Sequence, residues 1–195
     1  MRRHALPAFL AVIVFTVVFG LAYPLAMTGI AQLAFRGKAS GSKVTANGRL
    51  VGSSLIGQEF KSRAYFHSRP SQTEYAPDAT YFSNSGPNSV EAREAVRENL
   101  AAYVKLEKPY YGSLTREDVP VDAVTMSGSG VDPEISEANA QIQVHRIAAV
   151  RHLSLGTVED LISAHTSGRA LGLFGEPGVN VLTLNLALDE EAPIE

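Results

Sequence analysis

Between Arg3 and Arg36 the sequence has no formally charged side chain apart from a possible proton on His4, and residues 5–22 are almost wholly apolar. A bilayer core of about 30 Å requires about 20 helical residues, because each residue of an α-helix rises about 1.5 Å. The run up to Phe35 is long enough for one span and too short for two. The sequence therefore predicts a transmembrane anchor in residues 1–35, followed by one folded domain in residues 36–195.

A cleaved signal peptide is the main alternative for this run, since Arg2 and Arg3 precede an apolar stretch. The apolar core of a signal peptide spans about 7–15 residues, whereas this run continues to Leu33. No small-x-small cleavage site follows it, and the chain has no cysteine for lipid attachment. These features favour an anchor over a signal peptide.

Basic residues at the N-terminus favour a cytoplasmic position for that end of the helix. Arg2, Arg3 and the α-amino group lie there, while Arg36, Lys38 and Lys43 flank the other end and favour the opposite orientation. Long translocated domains follow the positive-inside rule poorly. We therefore expect a cytoplasmic N-terminus and an extracytoplasmic domain.

The charge of the domain excludes one class of partner. Without Arg2 and Arg3, the 17 basic residues become 15 against 20 acidic ones, so the region from Arg36 onward carries about −5. Such a domain is not a nucleic-acid binder. Its roughly 160 residues are enough for one domain with a core.

Three helices are predicted in the domain. Asn88-Ser89-Val90-Glu91 has the form of a capping box and begins a helix that runs through Leu106, with Pro109 as its stop. A second helix is predicted from about Ser136 to His152, and a third from Thr157 to before Gly168. The second helix should bury Ile142, Val144, Ile147 and Ala148.

Two strands complete the prediction. They cover Val119 to Met126 and Val179 to Leu188, where alternate leucines are typical of a sheet with one buried face. Residues 37–48 and the loop from Arg69 to Asn88, which carries Pro70, Pro77, Gly86 and Pro87, are expected to be irregular. The predicted fold class is α+β, with one transmembrane helix and a domain of a small sheet and about three helices.

Motifs for autonomous catalysis are absent from the sequence. The Ser127-Gly128-Ser129-Gly130 stretch lacks the Lys-Ser/Thr of a phosphate-binding loop, so a turn is the simpler interpretation. The histidines, including His67 and His145, do not have the spacing of metal ligands. We therefore predict neither a catalytic residue nor a metal ligand.

Small residues along the apolar helix offer a face on which another transmembrane helix could pack. Pro24 should also kink the helix at that level. Small residues are common in such helices, so this face has an alternative interpretation as ordinary composition. The predicted packing residues are Gly20, Ala22, Tyr23, Pro24, Ala26 and Gly29.

Six blocks of sequence carry a family resemblance that spans nearly the whole chain in order. They read YPLAMTGIAQ (23–32), GSSLIGQEF (52–60), YFHSRPS (65–71), VTMSGSGVDPEIS (124–136), QVHRIAAVR (143–151) and GEPGVNVLTLNLALD (175–189). Together they resemble the C subunit of the Kdp-type potassium-transporting ATPase.

The resemblance implies an accessory, non-catalytic subunit of a bacterial inner-membrane complex that takes up potassium at the expense of ATP. Its implied partners are a channel-like potassium-translocating subunit, a P-type ATPase subunit, a small stabilising peptide and the lipid bilayer. It also implies a catalytic chaperone that raises the ATP affinity of the pump subunit, with no tightly bound cofactor of its own. Ser127, Gly128, Ser129, Gly130 and Gln143 match the segment proposed to touch nucleotide.

The predicted orientation conflicts with direct nucleotide contact, because an extracytoplasmic domain faces away from the ATP inside the cell. We therefore expect the domain to sit over the external mouth of the channel-like subunit, where its negative charge could hold cations. A stand-alone membrane-tethered binding or sensor domain remains the alternative function, and a tethered hydrolase is a third.

Overall fold

The computed structural model describes residues 2–76, 78–81, 83–86, 88–169 and 171–194. The chain divides into two compact units, Met1–Lys43 and Val44–Glu195. The first is helical, and the second combines helices with two small sheets. The predicted α+β class is confirmed, with one N-terminal apolar helix.

The N-terminal unit is one long apolar helix followed by a short one. Its segments are α1 (Arg2–Val17), a π-helical turn (Val18–Ala22), α2 (Tyr23–Ala34) and the four-residue α3 (Arg36–Ala39). The helix from Arg3 to Ala34 has 32 residues, and its 18-residue apolar window has a mean hydropathy of 2.5 with no buried residue. It is the one helix in the described part of the chain that is long and apolar enough to cross a membrane.

The π-helical turn lies directly before Pro24, where the sequence predicts an irregularity in the helix. Proline has no N–H, and its ring clashes with the carbonyl four residues earlier, which is that of Gly20. Instead of the regular pattern, the Tyr23 N–H bonds to the carbonyl of Val18, five residues earlier. The wider turn accommodates the proline within a continuous helix.

A β-hairpin follows, formed by β1 (Lys43–Ala46) and β2 (Arg49–Ser53). Asn47 and Gly48 connect the strands with φ of 51° and 74°, the signature of a type I′ turn. The prediction of an irregular segment over residues 37–48 is therefore wrong, because an Asn-Gly pair between two short β-prone runs specifies a hairpin.

Turns and bends make up the chain between β2 and α4 in the described residues. The irregular loop predicted over 69–88 is confirmed there, although Pro77 and Pro87 lie outside the described residues. Helix α4 (Val90–Tyr111) then begins within the predicted capping box but one residue later than its form implies, because Ser89 rather than Asn88 is the N-cap and its hydroxyl accepts from the Ala92 N–H at 3.0 Å.

Pro109 does not end α4, contrary to the prediction. It lies in the last turn, so the hydrogen bond that its missing N–H removes is near the end of the helix, and only two helical residues follow it. Gly112 caps the helix at φ 72° by donating to the Lys108 carbonyl. The Tyr111 ring meets His145 edge-on at 4.7 Å, which holds this end in place.

The strand predicted over residues 119–126 is wrong, since Val121–Ala123 forms a 3₁₀ turn. Its Asp122 carboxylate accepts from the N–H and hydroxyl of Ser136 at 2.8 and 2.7 Å and from the Asn139 amide at 3.1 Å. The segment thus serves as a cap for the next helix, a role that the alternation of apolar residues cannot reveal.

Helices α5 (Glu137–Arg151) and α6 (Leu155–Ala164) confirm the second and third predicted helices. Ser136 is the N-cap of α5, and Ile142, Val144, Ile147 and Ala148 are buried as predicted. Helix α6 begins earlier than predicted because Ser154 rather than Thr157 is its N-cap, accepting from the Thr157 N–H at 3.0 Å.

The second sheet is antiparallel and three-stranded, in the order β3 (Glu134–Ile135), β5 (Gly178–Asn180), β4 (Thr166–Ser167). Ile135 and Thr166 both pair with Val179 across it. Helix α7 (Val181–Glu191) follows β5 without a loop.

The strand predicted over 179–188 is therefore wrong beyond Asn180. Val181, Leu184 and Leu188 are buried, and their spacing of three and four residues is that of one helical face. The alternating leucines therefore fit the period of a helix as well as that of a strand. Leucine and alanine are strong helix formers, and the Asn180 side chain caps the helix by accepting from the Thr183 N–H at 3.1 Å.

Helices α5, α6 and α7 and the three-stranded sheet enclose the core of this unit. One side chain of the core comes from the irregular segment before α4, namely Phe66, which is completely buried. The core residues are Phe66, Ile135, Ala140, Val144, Ile147, Ala148, Val158, Ile162, Val179, Val181, Leu184 and Leu188.

Candidate functional site

The backbone of residues 63–67, which we call the held segment, is bound mainly by side chains rather than by another strand. Asn185 of α7 accepts from the Phe66 N–H at 2.8 Å and donates to the Phe66 carbonyl at 2.9 Å. Gln143 of α5 accepts from the His67 N–H at 2.8 Å and donates to the His67 carbonyl at 3.2 Å. Two amide side chains thus replace the strand that would normally pair with this backbone.

Two arginines of α5 bind the remaining carbonyls of the held segment. Arg146 Nη1 donates to the carbonyl of Arg63 and, at 2.8 Å, to that of Tyr65. Arg151 Nε donates to the Ala64 carbonyl at 2.8 Å. Charged donors form stronger hydrogen bonds than neutral ones, so this helix fixes the path of the segment.

Arg146 is completely buried and is neutralised by an equally buried acid. Its Nε donates to Glu107 Oε1 of α4 at 2.9 Å, and the two side chains are 0% and 1% exposed. Burial raises the pKa of Glu107, and the neighbouring guanidinium opposes part of that rise. Glu107 Oε2 has no hydrogen-bond partner among the described residues.

A chain of hydrogen bonds along α5 connects this ion pair to the start of the helix. Gln143 Oε1 accepts from Arg146 Nη2 at 2.8 Å, and Gln143 Nε2 donates to Asn139 Oδ1 at 3.0 Å. The Tyr103 hydroxyl donates to the same Asn139 oxygen at 2.8 Å, and burial raises the pKa of that phenol. Asn139, Gln143 and Arg146 therefore form one continuous buried network along α5.

Tyr65, in the middle of the held segment, also contacts the surface of α7 through Asp189. Arg151 Nη2 pairs with Asp189 at 2.8 Å, and the Tyr65 hydroxyl donates to the same carboxylate at 3.0 Å. The Arg151 guanidinium also lies 4.8 Å from the centre of the Tyr65 ring, within the range of a cation–π contact.

Ser127, Gly128, Ser129 and Gly130 form a turn that is anchored at both ends. The buried Ser127 donates its N–H to the Pro70 carbonyl at 3.3 Å, while the Gly130 carbonyl accepts from the hydroxyls of Ser71 and Thr73. A Cβ on Gly130 would lie 2.9 Å from the Tyr81 carbonyl oxygen, at a φ of 73°. Gly128 and Ser129 are exposed at the tip.

The residues that follow this turn contact two other segments of the chain, residues 52–60 and 65–71. Gly57 donates its N–H to the Val131 carbonyl at 2.8 Å, and a Cβ there would lie 2.4 Å from the Asp132 carbonyl oxygen. Asp132 pairs with Arg69 at 2.9 Å. Burial raises the pKa of the adjacent Tyr75 to about 12, so its hydroxyl keeps its proton.

Gln143, the fifth residue matched to a nucleotide contact, is 1% exposed. Its four hydrogen-bonding positions are occupied by His67, Arg146 and Asn139. Nucleotide contact through Gln143 would require these bonds to break. Contact by Ser127–Gly130 and Gln143 stays a prediction.

A cavity of about 410 Å³ lies between α4 and the residues just before the turn. Glu91 is the one charged side chain among its described lining residues, and it is acidic. A triphosphate is normally held by basic side chains or by backbone N–H groups. The lining residues are Gln72, Ser83, Ser85, Glu91, Ala92, Ala95, Val96, Asn99, Val124, Thr125 and Met126.

The predicted helix-packing residues belong to the other compact unit and are all exposed on the apolar helix. Ala22, Ala26 and Gly29 lie at i, i+4 and i+7, and both Gly20 and Ala22 lie inside the π-helical turn. Tyr23 and Pro24 begin α2 directly after that turn. Their role in packing stays a prediction.

Sequence reasoning missed the residues that hold the structure together: Glu107, Asn139, Arg146, Arg151 and Asn185. One signal was available, since Asn139, Gln143 and Arg146 recur at helical spacing beside the predicted apolar face of α5. Such a polar stripe in a buried helix implies buried partners. The partners themselves lie far away in the sequence and could not be identified from it.

The comparisons with known proteins agree with the resemblance found in the sequence. The family model KdpC, described as the K+-transporting ATPase, c chain, matches residues 5–190. Proteins named Potassium-transporting ATPase KdpC subunit are similar over nearly their whole length. One from Mycobacterium bovis is 48% identical, covering 97% of this chain and 99% of its own. One from Rhodopseudomonas palustris is 47% identical, covering 97% of this chain and 98% of its own.

Replacing Arg146 should strongly destabilise the fold. In Arg146→Met, Glu107 loses its cation and the carbonyls of the held segment lose their donor, so we expect the free energy of unfolding to fall by about 3–5 kcal/mol. Chemical denaturation of the full chain in detergent measures this. Arg169→Met is the matched control, because its pair with Glu176 is exposed and should contribute at most about 1 kcal/mol. Equal losses in the two variants would contradict the structural role of Arg146.

Acidification should destabilise the protein through His67. Burial lowers the pKa of His67 from its usual value of 6.5, and the charge of Arg146 lowers it further, against a hydrogen bond to the Ser62 carbonyl. Below pH 6.5 the unfolded chain therefore binds the proton more readily than the folded protein does. As the pH falls, the free energy of unfolding decreases until the pH is below the pKa of His67 in the folded protein.

Denaturant unfolding at several pH values between about 7.5 and 5 measures this loss. His67→Gln should flatten the decline. Burial also lowers the pKa of His165, so adding His165→Gln should flatten it further. An unchanged slope in His67→Gln would show that this histidine does not contribute.

Proposed function

Since this chain belongs to the KdpC family and is an accessory subunit of the K+-transporting ATPase, we propose that its apolar helix anchors it beside the larger subunits in the bacterial cell membrane. The exposed, uncharged stretch up to Ala34 is the observation that carries this proposal, because a helix of 32 residues with an unburied apolar window of 18 residues is long and apolar enough to cross a membrane. Family membership decides against the stand-alone sensor domain. The ATPase activity of the complex resides on another subunit.

The small-residue face of the helix supports direct packing on partner helices. Ala22, Ala26 and Gly29 lie at i, i+4 and i+7, which allows close approach of a second helix. The proposed partners are the channel-like subunit, the P-type ATPase subunit and the small stabilising peptide. The π-helical turn before Pro24 gives this helix a local shape that a partner helix could match.

The proposed orientation has the N-terminus inside and the folded unit outside. Arg2, Arg3 and the α-amino group support it, and the basic residues after the helix count for less because they precede a long translocated unit. In this position the acidic unit would lie near the external mouth of the channel-like subunit. Its charge could then enrich cations there by a few kT or less, within a Debye length of about 8 Å.

The same orientation gives a route for the chaperone effect on ATP affinity. The fully bonded Gln143 is unsuited to reach a nucleotide on the other side of the membrane. We propose that any effect on ATP affinity passes through the transmembrane helix and the partner subunits.

Single cysteines test the orientation, because the chain has none of its own. The exposed His4→Cys and Asp160→Cys report the two ends of the proposed topology. A membrane-impermeant maleimide should label Asp160→Cys in intact spheroplasts and His4→Cys only after permeabilisation. The reverse pattern would place the folded unit inside the cell.

Co-purification tests the packing face. Ala26→Leu should weaken recovery of the large subunits with a tagged chain, because the added bulk holds the helices apart. Thr28→Leu is the matched control, since two residues correspond to about 200° around a helix and its side chain points away. Equal recovery with both variants would exclude this face from the interface.

A further inference from the structure

The connection between β4 and β5 exposes three large apolar side chains within four residues. Leu171, Leu173 and Phe174, which we call the apolar loop, are 90%, 76% and 64% exposed. Isolated exposed apolar residues are normal on a protein surface, whereas a contiguous exposed cluster marks an interaction site. None of the predicted functional residues belongs to this loop.

Two polar contacts lie at the base of the apolar loop. Arg169 Nη2 pairs with Glu176 Oε2 at 2.6 Å, so the two flanks of the loop are tied together. The Gly172 N–H donates to the Arg169 carbonyl at 3.0 Å. Leu171 has a φ of 54°, a conformation that leucine rarely adopts.

We propose that the apolar loop docks into an apolar cleft on a larger subunit of the same complex, on the side of the membrane where the folded unit lies. This inference rests on the proposed function. Leu173 and Phe174 supply the buried centre of the contact, and the Arg169–Glu176 pair supplies its polar rim, which is the usual anatomy of a protein interface.

The charge of the unit favours a protein partner over the lipid surface. Five of the 17 basic residues precede Val44, so this unit has 12 basic and 20 acidic residues and carries about −8. Anionic headgroups would repel such a unit. Loops and helices that insert into a lipid surface usually carry free Lys or Arg beside their apolar residues. Here the neighbouring Arg169 is already paired with Glu176.

A single cysteine in the apolar loop reports whether it becomes covered. Leu173→Cys is placed in the cysteine-free chain, and its reaction with a water-soluble maleimide is followed in three preparations: the full chain in detergent, the full chain in liposomes, and the complete complex in liposomes. Val121→Cys is the control, because Val121 is 73% exposed on a different element.

We expect Leu173→Cys to react rapidly in the first two preparations and at least about tenfold more slowly in the complete complex, because docked contact residues are shielded from solvent. Val121→Cys should react at similar rates in all three. Protection of Leu173→Cys in liposomes without the other subunits would assign the loop to the lipid surface and overturn the proposal.

Recovery of the other subunits separates this proposal from the proposed function. If the large subunits co-purify normally and Leu173→Cys still reacts freely in the complex, the docking proposal is wrong and the proposed function stands. If the wild-type chain recovers no large subunit, both are overturned.

Discussion

The burial of Phe66 imposes the main constraint on the folded unit. Its ring is completely buried in the core, so the backbone on both sides must leave water as well. No strand among the described residues pairs with this backbone, and each unpaired buried polar group would cost about 1–3 kcal/mol. Gln143 and Asn185 supply the missing partners from two different helices. The position of one aromatic ring thus determines which polar residues α5 and α7 must carry.

The same requirement introduces a buried charge and then its counterion. Arg146 can bind two carbonyls of the held segment and Gln143 at once, which a neutral side chain of its size could not do. A buried guanidinium is costly unless it is paired, and Glu107 supplies the pair from α4. The ion pair thereby joins α4 to α5, and α5 joins both to the held segment. Loss of one partner would leave the other as an uncompensated charge.

Local signals in the sequence predicted the elements that are specified by an apolar run or by a capping residue. The apolar run predicted the N-terminal helix, and residues 88–91 and Ser136 marked the starts of α4 and α5 to within a residue. Prediction failed in α7, where leucines at every second position also fit a helical face and the Asn180 cap decided the outcome. The candidate site was less accessible still, because Phe66 and Asn185 are 119 residues apart and neither position marks the other.

The dense bonding of the interior also limits how the folded unit can act on its complex. Gln143, Asn139 and Arg146 share one network, so exposing any of them to a ligand disturbs the backbone of the held segment and, through Phe66, the core. A unit of this kind acts as a rigid body more readily than as a clamp that opens around a small molecule. Its influence on a partner then depends on where its surface is held, and the N-terminal apolar helix and the apolar loop are the two attachments that we propose. Two attachments fix the orientation of a rigid body far better than one, because a single flexible connection leaves rotation free. An accessory subunit built in this way stabilises one arrangement of its larger partners through the binding energy that it contributes to that arrangement.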